Sequence, residues 1–183
     1  MTTLSLTRAR SARTTAVGVV GFAAALAAAS QVAVPIPGTA VPFTLQPFVV
    51  LLAGLWLGPA AGAASMMLYI AAGVAGLPVW SPFGAPGAAR LLGPTGGYIL
   101  AWPVAAFLTG WVARRVPSLA GRIGAAVLGM LVILAGGLAQ LTALTGSASA
   151  AMAAGVHPFL ALDFVKAVAA ALAPPRRGGR ASA

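Results

Sequence analysis

One acidic side chain, Asp163, serves a chain of 183 residues. Charged residues of both signs make up only 7% of it, against roughly 25% in soluble domains. A soluble protein of this size could not cover its surface with so few polar side chains. With 60% hydrophobic residues and a mean hydropathy of +0.99, the chain reads as an integral membrane protein. Its length allows one helical bundle over 1–183 and no separate soluble domain.

The same inventory excludes most chemistry. Without cysteine there are no disulfides, thiol nucleophiles or thiolate metal sites. A single histidine, His157, excludes a multi-histidine metal centre. One carboxylate side chain excludes a two-carboxylate acid/base pair. No Gly-Lys-Ser/Thr follows the glycine pairs, so there is no P-loop for ATP hydrolysis. Neither a catalytic role nor a metal or cofactor is expected. The net charge of +10 could suggest nucleic acid. However, most arginines fall at the ends of apolar segments, as the positive-inside rule requires, so lipid rather than nucleic acid is the expected surround.

Six apolar segments can be drawn, at 15–34, 45–57, 60–76, 93–113, 123–144 and 158–173. The first, fourth and fifth approach the ~20 residues that a span needs, and the others are short. Arg8, Arg10 and Arg13 precede the first segment. Arg114, Arg115 and Arg122 lie between the fourth and fifth, and Arg176, Arg177 and Arg180 follow the sixth. Six crossings put all of these on one side, read as cytoplasmic. The expected fold is therefore all-α: a polytopic bundle of six transmembrane helices in the cytoplasmic membrane. Both termini are expected in the cytoplasm, as basic tails at about 1–13 and 174–183. Arginines, an apolar run and Ala-Ala-Ala-Ser at the N-terminus resemble a cleaved leader, but the charge bookkeeping favours a retained span. In that span Ala12, Ala16, Ala24 and Ala28 recur at intervals of four, spacing that lets another helix approach closely.

Two non-cytoplasmic loops are rich in Pro and Gly. One, 35–47, holds Pro35, Pro37, Pro42 and Pro47, which prevent continuous helix and keep the chain extended. The other, 77–92, contains Pro78, Trp80, Ser81, Pro82, Phe83, Pro86 and Arg90. Irregular apolar backbone at membrane depth survives where it is buried or lines a cavity, so the two loops suggest a lidded pocket.

Asp163 and the only lysine, Lys166, sit three apart in the last apolar segment. On a helix they share a face, and intramembrane charges mark functional sites by default. Ionised Asp163 accepts hydrogen bonds and Lys166 donates three, which suits a urea- or amide-like ligand. Arg90 could meet an anionic group. Trp80, Phe83, Tyr98 and Trp102 could pack on an apolar ring. The bland alternatives are a structural Asp163–Lys166 pair and Arg90 as an interfacial anchor with its head in water. On the same view Gln46 and Thr44 satisfy backbone freed by proline, and Trp56, Trp102 and Trp111 face the interface or lipid.

Three stretches carry a resemblance: Val34-Pro35-Ile36-Pro37 with Val41-Pro42-Phe43-Thr44-Leu45-Gln46; Leu92-Gly93-Pro94-Thr95-Gly96-Gly97-Tyr98; and Pro158-Phe159-Leu160 leading into Asp163-Phe164-Val165-Lys166-Ala167. Together they resemble the BioY family, the biotin-binding S components of energy-coupling factor (ECF) transporters. The resemblance implies a six-helix protein with biotin near the non-cytoplasmic face, and the family's helix-six Asp and Lys match Asp163 and Lys166; the side-chain chemistry adds Arg90, Tyr98, Gln46 and Trp80 as expected contacts. It implies docking through the small residues of the first helix onto a transmembrane coupling subunit that works with two ATP-binding subunits. The loop before Leu92 lacks the asparagine sometimes found in the family; if a side-chain amide holds the ureido group, Gln46 or Ser81 would take that part. A solitary biotin carrier, an S component for another small vitamin, an enzyme using Lys166 and a purely structural subunit are the other readings.

Overall fold

The computed structural model describes residues 2–173. The expected tail with Arg176, Arg177 and Arg180 lies outside the described residues, as do the side chains of 2–11. Seven helices follow one another: α1 (Thr2–Gln31), α2 (Gln46–Leu57), α3 (Pro59–Val74), α4 (Gly96–Arg115), α5 (Leu119–Thr145), α6 (Ala148–Gly155) and α7 (Leu160–Leu172). A 3-10 turn, Gly87–Leu92, precedes α4. The proline-rich loop folds back on itself as a two-stranded antiparallel ribbon of β1 (Ala33–Val34) and β2 (Phe43–Thr44), with Ala33 opposite Thr44. That ribbon supplies the only sheet pairing among the described residues.

The boundaries have local causes. Proline stands in the first turn of α2 (Pro47) and of α3 (Pro59), where a missing N–H costs nothing. Between them Gly58 adopts φ +84°, a backbone that side chains resist. The chain therefore reverses: Gly54 lies against Gly62 and Gln46 reaches Tyr69, making α2 and α3 an antiparallel hairpin. Ser118 caps α5 by accepting from the Gly121 N–H at 3.0 Å, and Ser147 caps α6 from Ala150 at 3.3 Å. Gly146, at φ +68°, closes α5.

Helix α4 is the centre of the bundle and packs on α2, α3 and α5. Small residues let it do so: a Cβ on Gly110 would meet the backbone of Gly54 and Gly58, and one on Gly97 the backbone of Gly136. Helix α7 shows what surrounds the bundle. Asp163, Lys166, Ala167, Ala170 and Ala171 are buried, while Leu160, Leu162, Phe164, Val165 and Leu172 are about half exposed or more. Apolar side chains point out and the charges point in, the reverse of a soluble amphipathic helix.

Among the described residues, three helices are long and apolar enough to cross a membrane: Ala12–Gln31 of α1, α4 and α5. α6 and α7, bent by 56° at their junction, count as a fourth span if taken together. The hairpin helices are shorter, about 18 and 24 Å at 1.5 Å per residue. The protein is thus an all-α membrane protein with three, or up to four, such spans. The sequence reading did not assign α6. Its eight residues are mostly alanine and make no amphipathic pattern, and Pro158 marks a break that hides the continuity with α7.

Candidate functional site

At the end of the bundle away from Arg114 and Arg115, α2, α3, α4, α5, α7 and both loops enclose a cavity. Its empty space, open mouth included, is about 630 Å³. Asp163, Lys166, Arg90, Tyr98, Gln46 and Trp80, the expected biotin contacts, all line it.

The wall from α7 is self-contained. Lys166 Nζ donates to Asp163 Oδ1 at 2.8 Å, and both side chains are less than a tenth exposed. The ammonium also sits 3.9 Å from the centre of the Phe43 ring, a cation–π contact with the loop ribbon. A buried ion pair one helical turn apart needs no other element to be neutral. The second carboxylate oxygen has no hydrogen-bond partner among the described residues. The ion pair and the cavity lining coexist in this geometry.

The opposite wall is held across the fold. Gln46 Nε2 donates to the Tyr69 hydroxyl at 2.8 Å, and that hydroxyl donates to the Val79 carbonyl at 2.8 Å. Ser30 Oγ reaches the same carbonyl at 2.7 Å, and Gln31 Nε2 reaches the Trp80 carbonyl at 3.1 Å. The end of α1 is thereby stitched to the second loop. Trp80 is buried, packs edge-on against Tyr69 at 5.1 Å and donates its indole N–H to the Gly87 carbonyl at 3.1 Å. It fits because position 73 is glycine; a Cβ there would strike the indole. Gly137 serves Tyr98 in the same way, and the Tyr98 hydroxyl donates to the Gly155 carbonyl at 2.6 Å, tying α4 to α6.

Arg90 departs from the anchor reading. Its side chain is buried, not in water, and its guanidinium donates to the Ser81 carbonyl at 2.6 Å and to the Phe83 carbonyl. It folds the loop around itself while lining the cavity. Burial lowers its pKa from the ordinary value, with the Tyr69 hydroxyl opposing; arginine starts so high that it stays charged. Phe83, expected to pack on a ligand ring, is instead exposed and absent from the cavity wall. Its contribution is its backbone carbonyl, which accepts from the Arg90 guanidinium.

For Trp102 the structure favours the cavity over the interfacial alternative: it is 3% exposed, packs against Tyr69 at 5.7 Å and lines the cavity. Trp111 is exposed, with Arg115 3.9 Å above its ring, as an interfacial residue should be. Tyr69 escaped the sequence reading altogether. A lone tyrosine deep in an apolar helix was the available signal, since its hydroxyl needs a partner when buried. Thr44, Thr95, Ile99, Ile133 and Phe159 complete the lining around it. The arrangement offers an acceptor at Asp163, donors at Lys166 and Arg90, an amide at Gln46, and the aromatic side chains of Tyr69, Trp80, Tyr98, Trp102 and Phe159. Chemically it can hold a small molecule with both amide-like and anionic groups against an apolar ring.

Far from the cavity, Ala12, Ala16, Ala24 and Ala28 all lie on exposed positions of α1, alongside Val17 and Val20. No other helix among the described residues covers that stripe.

Comparison with known proteins bears on this site. The model of the BioY family matches residues 2–179. A probable biotin transporter BioY of Pyrococcus horikoshii is 40% identical over 158 residues, 86% of this chain and 92% of its relative. The biotin transporter BioY of Thermotoga maritima is 37% identical over 139 residues, 76% and 82% of the two chains. In fold, the chain is similar to the crystal structure of an S-component for biotin from an ECF-type ABC transporter. The TM-score is 0.79 at 24% identity, covering 93% of this chain and 90% of the other.

Proposed function

The chain belongs to the BioY family, and from that premise we propose that it binds biotin with high affinity as the substrate-capture subunit of an ECF-type transporter. The family is one of transport proteins, so the protein captures a ligand and does not transform it. One observation carries the reading to the residues: the chain's only carboxylate and only lysine meet inside the membrane and line the same cavity as Arg90 and Gln46. The ureido group of biotin has N–H donors for Asp163 and a carbonyl acceptor for Lys166. Its thioether ring suits Trp80 and Tyr98, and its carboxylate suits the Arg90 guanidinium.

On this reading the α2–α3 hairpin and the bent α6–α7 pair complete six crossings, with both termini cytoplasmic in the cytoplasmic membrane. Arg114, at the tip of the hairpin, donates to the Leu57 carbonyl at 3.1 Å, which keeps that tip with the basic side. The exposed stripe Ala12, Ala16, Ala24, Ala28 is the docking face for a transmembrane coupling subunit, which two ATP-binding subunits would drive. Transport without those subunits is the alternative; nothing in the fold favours it over the module.

Isothermal calorimetry of biotin into the purified protein in detergent tests the ligand and the site together. Wild type is expected to bind tightly, and Asp163→Asn to weaken binding at least ~100-fold, because a hydrogen-bonded charge is lost from a buried site. Tight binding that survives the substitution would move the site off α7. No binding by folded wild type would remove biotin as the ligand.

A further inference from the structure

Gln46 lines the cavity with an amide whose two ends look alike in shape and are opposite in chemistry. What decides which end faces where is Tyr69. The Tyr69 oxygen lies 2.8 Å from the Val79 carbonyl, which can only accept, so the single phenolic hydrogen is committed to it. The same oxygen lies 2.8 Å from the Gln46 side chain and can now only accept. The NH2 end of Gln46 must therefore point at Tyr69. On its other side, the Thr44 hydroxyl donates to Gln46 Oε1 at 3.4 Å, consistent with that orientation. One N–H and one lone pair of the amide remain without partners among the described residues. Tyr69 is 1% exposed and wedged between Trp80 and Trp102, so it cannot swing away.

We infer that Tyr69 is a positioning residue for ligand recognition: its hydroxyl locks the Gln46 amide so that the cavity presents a fixed donor and a fixed acceptor to the N–H and C=O edge of a cyclic urea. The inference rests on the biotin reading above and adds how the pocket distinguishes a urea from a look-alike. It also explains why a buried tyrosine spends its only hydrogen on a loop carbonyl: that bond makes the hydroxyl an obligate acceptor.

The test uses the full-length protein in detergent, with biotin and its analogue bearing =NH in place of the ureido oxygen as probes. Wild type should prefer biotin by at least about 100-fold, since a locked N–H meeting another donor is a buried polar mismatch. Tyr69→Phe frees the amide to turn, and should narrow that ratio by about tenfold. Gln46→Glu, which carries only acceptors, should move the preference further toward the analogue. Ser65→Ala removes a buried hydrogen bond of the helix that carries Tyr69, to the Gly62 carbonyl, without touching Tyr69 or Gln46, and should leave the ratio at the wild-type value. Thermal melting of each variant confirms that folded protein is compared. A wild-type ratio in Tyr69→Phe, or an equal change in Ser65→Ala, would overturn the inference while leaving the biotin reading intact. No biotin binding by the wild type would overturn both.

Discussion

The two walls of the cavity are built on different principles. The α7 wall pairs its charges within one helical turn, Lys166 to Asp163 at 2.8 Å. The opposite wall pairs its polar groups across the chain: Gln46 with Tyr69, Tyr69 with Val79, Ser30 with Val79 and Arg90 with Ser81. The first wall needs only the helix to exist. The second needs α1, α2, α3 and the 77–92 loop all in place. The difference teaches where each kind of recognition is vulnerable: the α7 wall to a change in charge, the loop wall to anything that shifts one of four elements.

The largest expected effect breaks the local pair. Lys166→Met alone leaves Asp163 buried and unpaired, which should cost about 3–5 kcal/mol. The double variant Asp163→Asn with Lys166→Met should recover most of that stability while binding no biotin. Thermal unfolding in detergent beside calorimetry separates the two outcomes. If the double variant is no more stable than the single one, the α7 wall is not self-contained.

A smaller effect probes the other wall. Arg90→Lys keeps the charge but loses the planar fork that reaches both the Ser81 and Phe83 carbonyls. Biotin affinity should fall about tenfold through the loosened loop, with a faster off-rate in stopped-flow tryptophan fluorescence. An unchanged off-rate would mean that the loop is held without the guanidinium.

The smallest effect checks that binding and overall stability can be separated. Ser118→Ala removes the α5 cap at the far end of the bundle and should cost about 1 kcal/mol of stability. The calorimetric affinity for biotin should not change. A drop in affinity would show that the cavity responds to any loosening of the bundle, and would weaken the contrast between its walls.

The same contrast explains what could be read in advance. The pair in α7 was legible because i and i+3 share a face whatever the rest of the fold does. Arg90, Trp80, Tyr98 and Gln46 were picked out as unusual residues in or beside loops, but their partners were not. Trp102 was left between two readings because a tryptophan in a membrane helix has the same local pattern whether it faces lipid or a cavity. Tyr69 was missed because nothing within a few residues of it is polar except Ser65, which bonds to the Gly62 carbonyl instead. α6 was missed because eight alanine-rich residues have no period to detect.

By itself the sequence determined the solvent and the class of structure. So few charges cannot cover a soluble surface, and apolar runs in lipid must satisfy their own backbone. It also determined that Asp163 and Lys166 would meet. The tertiary structure decided which polar groups answer one another over 10 to 49 residues of separation, as Tyr69 and Ser30 both answer Val79. It decided too that glycines at 73 and 137 leave room for Trp80 and Tyr98. Local pattern reports which face a residue takes on its own helix. Only packing sets what that face meets, because the partner comes from a distant part of the chain and its place depends on every helix between.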